Sequence, residues 1–333
     1  MHAPAPAELD DTTVGDAVAA GWGVAVRDLR YLSVGGGGYH WHLRDTDGGE
    51  LFVTVDDLDA KDWLGEDRPT VARGLNESLA TAWWLRDEAS LAFVVAQLGA
   101  LDGQPLVRLG DRYAISVTPF LEGHSYPFGP HTDAARRRRI LDALIALHSV
   151  CPPAGIPNHA RPRIGARADL EAFLREPGDA WHGGPYSEPA RELLAPHAEL
   201  LAARLEWFDD ICRSSLWDRT VVTHGEPHAG NVMTVGEREV LIDWDTVGIA
   251  TPERDLWFVV HDQADLNHYA DATGHQPNTS ALMLYKVRWQ FDDLASIIKT
   301  LRGSHSGTDG TEHWLGALEP LIESILGAPD LRA

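Results

Sequence analysis

The stretch THGEPHAGN, Thr223 to Asn231, sets one acid, Glu226, between His224 and His228 and ends on Asn231 five residues beyond the acid. A positioned carboxylate can take the proton of an attacking hydroxyl. An asparagine oxygen suits a hard cation such as Mg2+. Twelve residues after Asn231, VLIDWDTVG places Asp243 at the end of an apolar strand, with Asp245 two places on. Phosphoryl transfer asks for this combination, a metal held by fixed oxygens and a carboxylate beside the nucleophile. Short strands over Thr220–Val222 and Val240–Ile242 flank the motif, and a hairpin there would bring Asn231 and Asp243 together. A second chemistry is open to the same residues. His224, Glu226 and His228 at two-residue spacing on an extended strand offer three ligands to a transition metal, as in a metal-dependent hydrolase. Pro227 excludes a helix across them. No GxSxG occurs, so the nucleophile elbow of a serine hydrolase is missing.

The elements that must position these residues divide into a strand-rich and a helix-rich part. Residues 1–12 read as disordered, and a helix is predicted over Val14–Ala20. Strands follow at Leu29–Val34, Tyr39–Arg44 and Leu51–Val55, with a DTDGG turn between the last two. A helix over Gly74–Glu88 shows an apolar face of Leu75, Leu79, Ala82 and Leu85. Further strands are predicted at Pro105–Arg108 and Tyr113–Val117. The turn-rich TPFLEGHSYPFGP then breaks the pattern and reads as a linker. Beyond it the periodicity is helical: TDAARRRRILDALIALHSV, then residues near 167–175, 188–214, 253–260, 280–302 and 312–326. Arg136–Arg139 read as a solvated helical face.

The 333 residues suffice for about two domains. The formal charge of −22 is spread: residues 1–123 hold 20 acids against 9 bases, and residues 124–333 hold 30 against 19, so each part carries −11. Such a surface disfavours nucleic acid and anionic membranes as partners and favours a cationic small molecule. No apolar run reaches the roughly 18 residues of a membrane span, and the first residues lack a signal-peptide pattern, which points to the cytoplasm. Cys151 and Cys212 are the only cysteines and are expected as reduced thiols. A monomer or homodimer is expected.

The motifs HGEPHAGNVM and LIDWDTVGIATPERDLW resemble the catalytic loop and metal motif of the aminoglycoside phosphotransferase and choline kinase-like family. RYLSVGGGGYHWHLRD, ELFVTV and the helix with Glu77 resemble its nucleotide lobe more loosely. VTPFLEG resembles its hinge and LIALHSV the helix after it. The length and FVTVDDL are similar to the spectinomycin-type phosphotransferases. The resemblance implies a two-lobed, protein-kinase-like α+β fold, with a nucleotide-binding lobe over 1–120 and a helical lobe over 121–333. It implies a kinase that moves phosphate from ATP or GTP, with Mg2+, to a hydroxyl of a small molecule such as an antibiotic.

Residue by residue, it assigns the catalytic base to Glu226 and the metal to Asn231 and Asp243, with Asp245 either supporting that metal from outside or holding a second one. Gly35, Gly36, Gly37 and Gly38 become a loop over the phosphates, and the hinge backbone from Thr118 to Leu121, Phe120 within it, meets the nucleotide base. Asp255 braces the catalytic loop, and His224 is a packed loop histidine. A polycationic substrate would call for carboxylates in the helical part; Asp262, Asp292 and Asp293 are candidates, with Tyr285 and Trp289 beside the last pair. The sequence departs from the family at two positions. Glu226 stands where the base is usually Asp, which leaves open a relative that binds nucleotide without turnover. Thr54 stands where the third strand usually carries a phosphate-binding lysine, so Glu77 lacks its usual partner. Lys61, Arg44 and Arg73 are the cations that could compensate, although Lys61 in DDLDAKDW also reads as a solvent-exposed lysine in a loop.

Overall fold

The computed structural model describes residues 5–213 and 219–329. In chain order the helices are α1 (Asp11–Trp22), α2 (Arg68–Asp87), α3 (Ala134–His148), α4 (Arg167–Arg175), α5 (Ser187–Leu194), α6 (Ala198–Cys212), α7 (Glu253–Val259), α8 (Gln263–Thr273), α9 (Thr279–Arg302) and α10 (Asp309–Gly327). The strands are β1 (Val26–Leu32), β2 (Tyr39–Asp45), β3 (Glu50–Asp57), β4 (Leu106–Leu109), β5 (Tyr113–Pro119), β6 (His124–Ser125), β7 (Val221–Thr223), β8 (Val232–Val235), β9 (Arg238–Leu241) and β10 (Gly248–Ala250). The fold is mixed α+β, an antiparallel sheet in the N-terminal region followed by a largely helical region. Among the described residues no helix is long and apolar enough to cross a membrane.

Two compact units interleave along the chain, one from His2–Asn158 with Thr220–Gln276, the other from His159–Arg219 with Pro277–Ala333. The first holds a five-stranded antiparallel sheet in the order β1-β2-β3-β5-β4. Strand side chains alternate between faces. Trp41 and Leu43, Val53 and Val55, and Tyr113, Ile115 and Val117 therefore share one face, and they form a core with Val14 and Val18 of α1. Each fully buried side chain there contributes roughly 1.5–3 kcal/mol. The alternate positions, His40, His42, Phe52, Thr54, Asp56, Ser116 and Thr118, line the other face. Helix α2 packs Leu75 and Leu79 against Leu58, Leu106 and Ala114.

Several elements differ from the sequence expectation. Residues 5–12 are ordered: Asp10 caps α1, its carboxylate accepting the Thr13 N–H at 2.7 Å, Leu9 is buried, and the Trp41 indole donates to Asp11 at 2.9 Å. Residues 1–4 and the expected helix end at 214 lie outside the described residues. Helix α2 starts six residues before Gly74, at Arg68, because Asp67 caps it by accepting the Thr70 N–H and Pro69 occupies its first turn. Helix α8 had no counterpart in the sequence reading.

The largest difference concerns the motif itself. Strand β7 pairs with β10, not with β9, and the hairpin is β8–β9, from Val232 to Leu241. Asn231 enters that hairpin and Asp243 follows it, and the Ile242 N–H donates to the Asn231 carbonyl at 3.0 Å. Strand β9 is fixed to the segment after α2: the Leu241 N–H donates to Phe93 at 2.8 Å, and Val95 donates to Leu241 at 3.0 Å. The second unit packs α4, α5, α6, α9 and α10 around Phe173, Trp207, Phe208, Phe291, Ile298 and Leu318.

Candidate active site

Strand β7 ends at Thr223, and the chain then turns sharply through Gly225, whose φ is +102°. A Cβ there would stand 2.5 Å from Nη2 of Arg254, so the turn requires glycine. The turn rests on Asp255. That carboxylate accepts the N–H of His224 at 2.8 Å and of Gly225 at 2.7 Å, and lies 3.1 Å from His148 Nε2. The other ring nitrogen of His148 lies 2.9 Å from the Tyr269 hydroxyl. Burial works against ionised Asp255, but the hydrogen bond and charge of His148 reverse this and hold its pKa below the usual carboxylate range. His224 is fully buried, and both its ring nitrogens are engaged: Nε2 with the Ile242 carbonyl at 2.9 Å, Nδ1 accepting the Glu226 N–H at 3.3 Å. Burial lowers its pKa, so it is the neutral Nε2–H tautomer.

Glu226 is part-buried at the crest of this turn. The Asn231 side-chain amide donates to the Glu226 carbonyl at 3.1 Å, which leaves the Asn231 oxygen as the atom it can offer to a cation. Asp243 sits at φ +63°, a left-handed conformation that a non-glycine residue adopts at a cost of about 1–3 kcal/mol. Its carboxyl pKa is raised well above the usual range, first by the charge of Asp245, then by burial, with Glu226 and Asp56 adding and Lys61 opposing. Asp243 and Asp245 thus crowd a buried place that they share with Asp56 and Lys61, and such crowding of carboxyl groups suits a bound cation. Two protein oxygens, from Asn231 and Asp243, suit Mg2+, which takes its remaining ligands from water and phosphate.

The three-ligand metal reading fails on geometry. The His224 ring is engaged by main-chain groups, and His228 turns back to cap the next turn, Nδ1 accepting the Gly230 N–H at 3.1 Å. Among the described residues no group of three or more His, Cys, Asp or Glu side chains is arranged to hold a metal ion.

Lys61 is not a solvent-exposed loop lysine. It lies between two short 3-10 turns, Leu58–Ala60 and Asp62–Leu64, and is only 2% exposed. Its Nζ stands 2.6 Å from Asp245 and 3.1 Å from Asp56. The glycine loop approaches the same place: a Cβ on Gly37 would stand 3.9 Å from Lys61 Nζ, and one on Gly38 would stand 3.2 Å from Asp56 Oδ1 and from the Val55 carbonyl. Gly35 has φ +69°, and a Cβ on it would meet His40 Nε2 at 2.9 Å. Gly36 has open space at its Cβ position. Thr54 faces the same side of the sheet, its hydroxyl 3.2 Å from His40 Nδ1.

Thr118 pairs with Phe52 across β3–β5, and the Phe120 N–H donates to the Glu50 carbonyl at 3.0 Å while its ring lies tilted against His42, centroids 4.1 Å apart. The Phe120 amide is therefore engaged within the protein. Asp262 caps α8, accepting the Asp265 N–H at 3.0 Å. In the second unit, Asp292 accepts the Gly165 N–H at 2.5 Å and pairs with Arg288. On the same helix α9, the Asp293 pKa is pushed up to about 6, chiefly by burial and then by Asp292. Trp289 precedes them on α9.

Sequence reasoning missed Asp56 and His148. Asp56 lies two residues past Thr54, so strand periodicity alone sets both on one face. His148 stands in LIALHSV with nothing local to mark it as the support of Asp255.

No curated protein matches the chain in sequence. Solved structures do match in fold. The spectinomycin phosphotransferase APH(9)-Ia, in complex with ADP and spectinomycin, superposes with a TM-score of 0.72 at 14% identity, covering 97% of this chain and 99% of that one. A microcompartment-associated aminopropanol kinase gives 0.58 at 16% identity over 95% of each chain. The amicoumacin kinase hAmiN, bound to AMP-PNP, Ca2+ and its ligand, gives 0.56 at 12% identity, over 96% of this chain and 94% of that one. The model of the phosphotransferase enzyme family matches residues 30–285, spanning the glycine loop, Lys61, the turn at Gly225 and the β8–β9 hairpin with Asp243 after it, and the chain belongs to that family.

Proposed function

We propose that this phosphotransferase is a Mg2+-dependent kinase that moves the γ-phosphate of ATP or GTP to a hydroxyl of a small molecule, an antibiotic of the aminocyclitol or aminoglycoside kind. The observation that carries the reading is the joining of Glu226 to Asn231 by a hydrogen bond at the entrance of the hairpin that Asp243 follows. In the step, the acceptor oxygen forms a bond to the γ-phosphorus, and the bond from that phosphorus to the β–γ bridging oxygen breaks. The nucleoside diphosphate leaves, and the hydroxyl proton passes to the Glu226 carboxylate. A divalent cation bound by Asn231 and Asp243 would supply neutralisation of the phosphate charge. Gly35–Gly38 cover the phosphates, Thr54 faces them, and the backbone at Thr118 meets the base, within a nucleotide lobe over residues 1–120. Residues 121–333 supply the catalytic turn and the acceptor site, with Asp262 as a candidate for its lining. The enzyme acts in the cytoplasm, where its nucleotide is.

The extra methylene of Glu226 is compatible with this role. Glu and Asp have nearly equal unperturbed pKa values, and the Asn231 bond fixes the main chain from which the longer side chain extends. The test is nucleotide consumption with ATP and with GTP, each with Mg2+, across a panel of antibiotics and small amino alcohols. Turnover with at least one hydroxyl compound, abolished in Asp243→Ala and reduced about 10²–10⁴-fold in Glu226→Ala, is the expected result. Nucleotide binding with no turnover on any acceptor would instead show a protein that binds without chemistry.

A further inference from the structure

Three parts of the chain meet at the buried Lys61 ammonium: the end of β3 with the turn after it (Asp56, Lys61), Asp245, and the glycine loop at Gly37. A buried ion cluster is a poor source of stability, because desolvation offsets most of the Coulomb gain. Burial alone would drive the proton off Lys61, but Asp245, Asp56 and Asp243 more than reverse this, so the ammonium stays charged. Two of its three N–H donors are directed at carboxylates. The ammonium also lies 5.2 Å from the Trp63 ring centre and beside the glycine loop, where a Cβ on Gly37 would stand 3.9 Å from it, and glycine N–H groups form an anion cradle when the backbone comes this close.

We propose that Lys61 is the cation that binds the nucleotide phosphates, delivered from the turn after β3 with Asp56 and Asp245 as its positioning residues; the inference rests on the phosphotransferase reading. The two rival cations are placed elsewhere: Arg44 is exposed and pairs with Glu50 at 2.7 Å, and Arg73 is exposed on α2. Thr54, on the strand, has its hydroxyl at His40. The helix acid Glu77 is exposed, and Asp56 on the strand partners the lysine in its stead. The ammonium is thus anchored by the sheet and by the Asp243–Asp245 segment, and phosphate binding does not depend on the position of α2.

Two measurements test this. The first compares binding of Mg–ATP or Mg–GTP with binding of the bare nucleosides, adenosine and guanosine. Lys61→Met with Asp56→Asn removes the cation and one of its acids together, which limits the unpaired charge left behind. The pair should weaken triphosphate binding tenfold or more and leave nucleoside binding within twofold, while Glu77→Gln changes neither. Equal weakening of both ligands would make Lys61 a structural clamp and overturn the proposal, as would no change in either. A wild-type protein that binds no triphosphate would instead overturn the phosphotransferase reading itself.

The second measurement needs no substitution. Lys61, Lys286 and Lys299 are the only lysines, so lysine 15Nζ spectra of the intact chain contain at most three signals. The Lys61 signal should shift on adding a Mg–non-hydrolysable ATP analogue and stay in place with Mg2+ plus adenosine. A signal that ignores the triphosphate would overturn the assignment.

Discussion

The Asn231 side chain donates a hydrogen bond to the carbonyl of Glu226 at 3.1 Å, so the residue proposed to offer an oxygen to Mg2+ also fixes the main chain of the proposed base. The proposed metal site and the proposed base are therefore one mechanical unit. Asn231→Ala should lower kcat about a hundredfold even at saturating Mg2+, because a displacement of about 1 Å at the base costs that much. Asn231→Asp keeps an oxygen for the cation but sets a carboxylate against a carbonyl, and should be impaired in kcat as well. Steady-state kinetics over a Mg2+ titration decides it. If saturating Mg2+ restores full kcat to either variant, Asn231 serves the metal alone.

Gly225 carries a second constraint. Its φ is +102°, and a Cβ there would meet Arg254 Nη2 at 2.5 Å and Thr246 Oγ1 at 2.6 Å, which leaves no room for a methyl group. Arg254 cannot easily yield, because it donates to Thr223 Oγ1 and to the Thr246 carbonyl, both at 2.8 Å. Gly225→Ala should therefore cost about 1–3 kcal/mol from the backbone conformation alone. Denaturant unfolding measures it, and an unchanged midpoint would mean that the turn has another conformation.

Asp255 gathers two main-chain N–H groups and the His148 ring in a fully buried place. Asp255→Ala leaves these donors without an acceptor, at a cost of about 3–5 kcal/mol. Asp255→Asn keeps one acceptor oxygen and should cost less, while its NH2 group opposes one of the donors. The order wild type, Asn, Ala in thermal stability is the expected result. Equal stability of Ala and wild type would show that Asp255 does not support the turn.

Much of this site was legible because its signals are local. The apolar run VLI ending in Asp243 and the alternation in β3 each depend on neighbouring residues. Lys61 was not legible in this way. DDLDAKDW reads as exposed charge, and the burial of its lysine depends on Asp245, 184 residues away. The β7–β10 pairing was hidden for a related reason: β10 is three residues long and carries no alternation. Helix α8 buries only Asp265, Leu266 and Tyr269, too few apolar positions for a periodic signal. The two interleaved units likewise follow from contacts that no composition shift marks.

His228 gives the turn after Glu226 a pH dependence of known sign. Its pKa is lowered to about 4, by burial first and then by the neighbouring His224 and His131. The neutral ring is the form that fits, since Nδ1 must accept the Gly230 N–H. With the folded pKa below the unfolded value of about 6.5, the stabilising contribution is complete above pH of about 6.5. It falls as the pH drops towards 4, by about 3 kcal/mol in all. His228→Asn keeps a cap acceptor for Gly230 and removes the titrating group. Its melting temperature should fall less than that of wild type between pH 7 and pH 4.5, as followed by circular dichroism. Parallel curves for the two proteins would show that His228 takes up its proton without disturbing the turn.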